Sequence, residues 1–381
     1  MAISDVQDNN KLVVYTKEIN REFVRGNMFS PYMSTSLNAI IRVKQELKAG
    51  GEQMNIPLVT KLSGRGVGSG PLVGNEEKID NYGFRLWIDW ARHAVATKKS
   101  EAHKDSADVF GEAKPLLTDW GKERQRNDII EAFMAVPSES APTGLGTDEG
   151  DTVNGVRYEL ASTAQRNTWN AANSDRVLYG NARGNYNATH ATALGNVDTT
   201  NDKLNRTTLG LLREIAEQAD PAIRPYQTED GYDWFVCFVG TNSYRDLKAD
   251  LETIHKDALS NMGKNNPLFR PGDLEWDGII IRKVPEISKY VTDVWTSLKT
   301  AGNSSSRVEP VLFCGQQAAV FGWGQMAKPT FRKEDDYGFI TGTGTEMAYG
   351  VSKLFKKHPQ AGTDLKQWGV VTGFVSAGPS A

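Results

Sequence analysis

The sequence predicts an α+β fold in which a long hairpin and one long helix precede an α/β lobe. Three observations predict it. In Tyr82-Gly83-Phe84-Arg85-Leu86-Trp87-Ile88-Asp89-Trp90 every second residue, from Tyr82 through Phe84, Leu86 and Ile88 to Trp90, is apolar or aromatic, the period of a half-buried strand. Between 97 and 135 apolar residues recur at helical spacing. From about 207 onward, short continuous apolar runs alternate with amphipathic stretches. A chain of 381 residues exceeds one core of ordinary size, so two lobes or one elongated body are expected.

Residues 1–50 read as an arm with helical patches. Ile19, Phe23 and Val24 lie near one helical face, and Leu37, Ile40, Ile41, Val43 and Leu47 recur at close to 3.6 residues before Gly50-Gly51 stops the pattern. Residues 51–96 read as a long hairpin. Met54, Ile56 and Leu58 share a face of its first strand, and Pro57, which cannot donate to a ladder, places that strand at an edge or in a lone ribbon. Tyr82, Phe84, Leu86, Ile88 and Trp90 share a face of the second strand. Ser63-Gly64-Arg65-Gly66-Val67-Gly68-Ser69-Gly70-Pro71 form the tip between them. An isolated hairpin is marginal in water, and nothing nearby in sequence offers this one a surface. Ile56, Leu58, Leu62, Val67, Leu72, Phe84, Leu86, Ile88 and Trp90 are therefore expected to contact a neighbouring subunit.

Residues 97–135 read as a single helix carrying Val109, Phe110, Ala113, Leu116, Leu117, Trp120, Ile130, Phe133 and Met134, ending before Pro137. Gly111 and Pro115 fall inside it and predict a bend there. Residues 138–206 are polar and rich in Asn, Thr, Gly and Ala, and read as loops, short elements or an inserted flap. Beyond them, Thr207 or Thr208 caps a short helix stopped by Pro221, and a buried strand follows at 234–239. Ser243 and Asp246 suggest a capping box for the next helix. Ile279-Ile280-Ile281 and Val311-Leu312-Phe313 read as core strands, 331–354 as glycine-bearing strand, and 367–376 as a last strand.

Composition excludes several classes of function. With 39% hydrophobic and 24% charged residues the chain is an ordinary folded protein. Its mean hydropathy is -0.48, and no apolar run approaches the roughly 20 residues of a membrane helix. Met1-Ala2-Ile3-Ser4-Asp5 lacks the basic flank and apolar core of a signal peptide. A net charge of -3, from 44 basic and 47 acidic residues, gives no general attraction for nucleic acid. Cys237 and Cys314 both sit in apolar runs and read as buried thiols suited to a reducing compartment.

Motifs for chemistry are missing too. Gly64-Arg65-Gly66-Val67-Gly68-Ser69-Gly70 is not followed by Lys-Ser/Thr and does not match a dinucleotide fingerprint. Glu76-Glu77 and Glu334-Asp335-Asp336 cluster carboxylates, but adjacent acids ordinarily mark solvated surface. His93, His103, His190, His255 and His358 have no metal-binding spacing, and no nucleophile elbow occurs. No catalytic residue, cofactor or metal site is expected. A rival reading places an enzyme on the α/β lobe.

The order of elements resembles the major capsid proteins of tailed bacteriophages, with the Hong Kong 97 fold. The chain is similar in particular to the type found in short-tailed phages related to coliphage N-four. Ile56-Pro57-Leu58-Val59, Leu62-Ser63-Gly64, Gly66-Val67, Leu72-Val73-Gly74-Asn75-Glu76-Glu77, Arg92-His93-Ala94-Val95, Tyr244-Arg245-Asp246-Leu247 and Asp336-Tyr337-Gly338 carry the resemblance. It implies an N-terminal arm at 1–50 and an extended loop at 51–96 lying over an adjacent subunit. It implies a peripheral domain at 97–206 with its spine helix at 97–136 and a polar insertion at 138–206. An axial domain at 207–325, peripheral return strands at 326–358 and a C-terminal axial strand at 359–381 complete the implied layout. The implied function is a shell subunit, not an enzyme, that forms pentamers and hexamers of an icosahedral head around packaged double-stranded DNA. The rival within the same setting is another virion part, such as a portal, tail or decoration protein. Implied partners are many further copies, with scaffolding, portal and decoration proteins, and no membrane. The implied location is the virion, with assembly in the host cytoplasm.

Overall fold

The structure is a computed structural model that describes residues 24–45, 51–59, 62, 64–77, 79, 81–104, 109–145, 152–227, 231–262, 274–332, 336–357 and 365–378. The helical patch at Ile19 and Phe23 lies outside the described residues, as do Leu47, Ser63, Glu334, Asp335 and His358. The helical reading of 37–47 is corrected. After a short strand β1 (Met33–Ser34), Ile41–Lys44 form strand β2, and Leu37 is exposed. Ile41 and Val43 are β-branched and favour a pleated surface. Parallel pairing to a strand from the C-terminal third decides the matter.

The hairpin is present. Strands β3 (Gln53–Val59) and β4 (Asn81–Trp87) pair antiparallel from Gln53↔Trp87 to Val59↔Asn81 as a separate two-stranded ribbon. The ribbon stops at Ile88, and strand β5 (Asp89–Lys98) leaves for another sheet. Trp90 therefore does not share the face of Phe84 and Leu86 and stands half exposed. The single helix expected over 97–135 is also corrected. A short helix α1 (Lys99–Lys104) and a 3-10 turn (Val109–Glu112) precede the spine helix α2 (Ala113–Met134). Pro115 is the third residue of α2, where its missing N–H has no intrahelical partner to lose. Gly111 lies in the turn before it. Both residues mark the start of the helix rather than a bend within it. At the other end, Pro137 has no N–H to give the Phe133 carbonyl, and the helix stops.

The polar stretch 138–206 carries regular elements from residue 163 onward that its composition does not suggest. It holds helix α3 (Thr163–Ala172), strand β6 (Val177–Tyr179) and helix α4 (His190–Gly195). Ser162 and Gln165 form a reciprocal capping box at the start of α3. Next come helix α5 (Arg206–Gln218), capped by Asn205 rather than by a threonine, β7 (Tyr226–Gln227), β8 (Asp233–Val239) and helix α6 (Thr241–Met262). Ser243 lies inside the first turn of α6, so the expected capping box is absent. Its N–H and hydroxyl instead donate to the buried carboxylate of Glu309, at 3.4 and 3.0 Å, and a negative charge is favourable at that helix end.

The chain continues through β9 (Leu274–Trp276), β10 (Ile279–Lys283), helix α7 (Pro285–Asp293) and β11 (Val308–Cys314). Two long strands follow, β12 (Ala319–Phe331) and β13 (Ile340–Lys353), then β14 (Phe355–Lys357), β15 (Leu365–Gln367) and β16 (Val370–Ser376). Two large sheets result. One has the order β6-β16-β11-β8-β10-β9, with β7 on β8; the other has the order β1-β2-β12-β13-β5. The first takes a strand from the presumed insertion, so its sheet draws on residues well before 207. The return to the second sheet begins at Ala319 rather than 326.

The main core lies where the sheets meet the second half of α2. Phe29, Ile129, Phe133, Phe238, Phe321, Tyr349 and Phe374 are all fully buried there. Phe29 meets Phe238 edge-on at 4.9 Å, and Phe321 stacks on Tyr349 at 5.1 Å. A second core between the seven-stranded sheet and helices α5 and α6 holds Leu209, Leu212, Ile215, Leu247, Phe235 and Phe313.

Candidate assembly surface

The apolar face of the hairpin is buried within its own chain. Met54, Ile56, Leu58, Phe84, Leu86 and Ile88 pack with Val320, Ala348, Leu354 and Phe355, and Phe84 meets Phe355 edge-on at 4.9 Å. Burying each such side chain contributes about 2 kcal/mol. The expectation that nothing local offers this ribbon a surface is corrected: its seat comes from residues more than 200 positions later.

Glycine makes that seat possible. A Cβ on Gly350 would lie 1.8 Å from the Trp87 carbonyl oxygen, and one on Gly322, its partner across β12 and β13, 2.7 Å from Leu86 Cδ2. A Cβ on Gly324 would lie 3.0 Å from Ile88 Cγ2. The ribbon thus rests directly on the backbone of the five-stranded sheet. Polar contacts pin its rim: the Tyr82 hydroxyl donates to Glu139 Oε1 at 2.9 Å, and Lys357 Nζ lies 2.8 Å from Glu139 Oε2. The Trp87 N–H donates to Asn154 Oδ1 at 3.3 Å.

The segment joining the two strands is a different case. Leu62, Leu72 and Ile79 are each more than half exposed, and Val73 is 85% exposed. Val67 is half-buried beneath Gly70. The segment holds its own shape: Glu77 Oε2 accepts from the Gly64 N–H and Glu76 Oε2 from the Gly74 N–H, each at 2.7 Å. Asn75 turns back on Leu72 and Pro71, with Gly74 at φ +86°. The acids noted as a possible site are thus loop ties. Of the residues expected to meet another subunit, Leu62, Leu72 and Trp90 are open to do so, while Ile56, Leu58, Phe84, Leu86 and Ile88 are covered by their own chain. Further exposed apolar residues, Met326, Phe331, Tyr337 and Phe339, gather where β12 and β13 end. Exposed apolar groups grouped in this way mark interaction surfaces.

The buried polar groups tie elements together. Asp128 of α2 accepts from Arg124 Nε at 3.1 Å and from the hydroxyls of Thr152 and Tyr349, linking the spine helix to β13. Lys353 Nζ donates to the Phe133 carbonyl at 3.2 Å, the acceptor that Pro137 leaves without a partner, and sits 5.2 Å from the Trp169 ring centre. Burial lowers this ammonium to about 7. His190 lies between the hydroxyls of Tyr158 and Tyr179, at 2.9 and 2.6 Å, and meets Trp169 edge-on at 5.6 Å. Burial, with the nearby Arg166 charge second, lowers it to about 4. Cys237 and Cys314 lie on the adjacent strands β8 and β11, and burial raises both thiols. Among the described residues, no group of three or more His, Cys, Asp or Glu side chains is placed to hold a metal ion, and no helix is long and apolar enough to cross a membrane.

Comparison with known proteins agrees with a surface built for assembly. The sequence profile of a family described as phage capsid protein matches residues 4–374. The capsid of cyanophage Pam1 superposes with a TM-score of 0.85 and 33% identity, covering 100% of both chains. The capsid of Ralstonia phage GP4 gives a TM-score of 0.69 and 20% identity over 100% of this chain and 99% of that one. The head of Helicobacter pylori bacteriophage KHP40 gives 0.62 and 13%, over 97% and 96%. No curated protein sequence matches this chain. With one profile spanning nearly every residue and a fold shared end to end with phage shells, this chain belongs to the phage capsid protein family, as a structural protein of the virion and not an enzyme.

Proposed function

We propose that this chain is the major capsid protein that assembles as pentamers and hexamers into an icosahedral head around packaged double-stranded DNA. The observation that carries this reading is the loop 62–79, among whose described residues Leu62, Leu72, Val73 and Ile79 are left uncovered by their own chain. In a shell, many such contacts, each weak, are summed by symmetry. The loop would lie over an adjacent copy, with Leu62, Val67 and Leu72 meeting that neighbour and Trp90 contributing from the sheet edge. The seven-stranded sheet with α5 and α6 serves as the axial domain, and the five-stranded sheet with α2 as the peripheral domain. A net charge of -3 favours enclosing DNA without gripping it. Scaffolding, portal and decoration proteins are the expected partners, and the host cytoplasm the place of assembly. The motifs quoted above, from Ile56-Pro57 to Asp336-Tyr337-Gly338, support a place in the coliphage N-four type.

Deleting residues 62–78 tests the proposal. The seat of the ribbon lies outside the deletion, so the subunit should keep its fold by circular dichroism and fail to form shells by electron microscopy. Shells of normal size and yield from the deleted chain would refute it.

A further inference from the structure

Resting on the shell function proposed above, we infer that Tyr337 is a knob that inserts into a cavity beside the spine helix of a second copy of this chain. Tyr337 sits in the turn Asp336–Gly338 that joins β12 to β13, and is fully exposed, at 108%. Its φ is +52° and that of Gly338 is +75°, so two successive left-handed residues make the turn tight. Among the described residues nothing covers that ring, which leaves it free to meet another molecule.

The cavity is on the same pair of strands. It has a volume of about 360 Å³ and lies between the first half of α2 and the rows around Pro329 and Thr345. Leu117, Pro329 and Met347 give it apolar walls, and Gly121 keeps its floor open, since a Cβ there would meet only Met347 Cε at 3.8 Å. Its own Tyr337 does not fill it, because that ring is wholly exposed. An aromatic ring with one polar atom matches an apolar slot with a polar mouth. Charge favours the same pairing. Lys114 and Lys122 stand at the cavity, and Glu334-Asp335-Asp336 directly precede the knob in sequence. Knob and cavity are different patches of one chain, so the contact is heterologous, the kind that builds a ring of copies where the rotation between them closes.

Two measurements on full-length protein test the inference. Tyrosine nitration mapped by mass spectrometry should modify Tyr337 in free subunits and leave it protected in assembled particles. The variant Tyr337→Cys with Thr118→Cys should give an interchain disulfide ladder on oxidation of particles, and mixed particles of the two single variants should give linked dimers. The native thiols Cys237 and Cys314 are buried and do not compete. Filling the cavity with Gly121→Met should leave the subunit folded, and should either expose Tyr337 to nitration in the particles that form or lower the yield of particles. Particles in which Tyr337 nitrates as fast as in free subunits, or in which the cysteine pair stays unlinked, overturn the inference while leaving the shell function standing. A chain that never forms particles overturns both.

Discussion

Replacing Lys353 with methionine should stabilise the free subunit at neutral and mildly acidic pH, and the gain should vanish as pH rises. Lys353 is a wholly buried ammonium whose only hydrogen bond among the described residues is to the Phe133 carbonyl. Burial moves it from its ordinary value of 10.5 to about 7. At about 1.4 kcal/mol per pH unit, keeping the charge inside costs about 5 kcal/mol at pH below 7. Methionine keeps the stem against Trp169 but leaves the buried Phe133 carbonyl without its donor, which costs about 2 kcal/mol, so the net gain is about 3 kcal/mol. The sign follows from proton counts. Between pH 7 and 10.5 the unfolded chain holds the proton and the folded chain does not, so wild-type stability rises with pH relative to the variant, and below 7 the penalty is constant. Equilibrium urea unfolding of both proteins at about pH 6, 7.5 and 9 measures the difference directly. Parallel curves across that range, or a variant less stable at pH 6, would refute the reasoning.

Further perturbations probe the His190 cluster and the seat of the ribbon. His190 moves from 6.5 to about 4, so the unfolded chain takes up a proton first as pH falls. Stability should drop by about 3 kcal/mol between those values, and His190→Gln should flatten that part of the wild-type curve in acid titrations followed by tryptophan fluorescence. Gly350→Ala would place a methyl group on the Trp87 carbonyl; it should lift the ribbon and destabilise the subunit by at least about 3 kcal/mol, with hydrogen exchange speeding up across 53–59 and 81–87. Gly121→Ala, which meets only ordinary contact, should do neither.

Local periodicity made most strands legible and left their partners hidden. The alternation of Met54, Ile56, Leu58 and of Phe84, Leu86 marks β3 and β4 correctly, because a strand that buries one face must repeat every two residues. Where that face goes is set by Gly322, Gly324 and Gly350, far along the chain. Glycines within strands do signal close approach of another backbone, and that signal, present in the sequence, points to the seat. Trp90 extends the alternation past the true end of the strand because β5 continues extended in another sheet. Gly111 and Pro115 look like breakers inside a helix until the ten-residue pairing of β5 with β13, from Ile340↔Lys98 to Tyr349↔Asp89, moves the start of the helix to Ala113. The asparagines of 138–206 looked like loop residues and act as internal staples. Asn170 accepts from the Tyr179 hydroxyl at 2.8 Å and donates to the Asn187 carbonyl at 2.7 Å, and Asn173 Oδ1 accepts from the Gln367 N–H at 2.7 Å. No hydrophobic period reports such contacts. The exposure of Leu62 and Leu72, in contrast, agrees with their belonging to no periodic face.

The central claim is that this chain builds a closed shell, with its ribbon seated on its own glycine platform and its loop covered by a neighbour. A cryo-electron microscopy reconstruction of particles formed by the full-length chain tests it most directly. The account predicts icosahedral shells in which β4 crosses Gly350 of its own chain while Leu62, Leu72 and Val73 are buried against an adjacent copy. Shells in which loop 62–79 stays open to solvent, or in which β3 and β4 leave their own sheet to lie on another subunit, would contradict it.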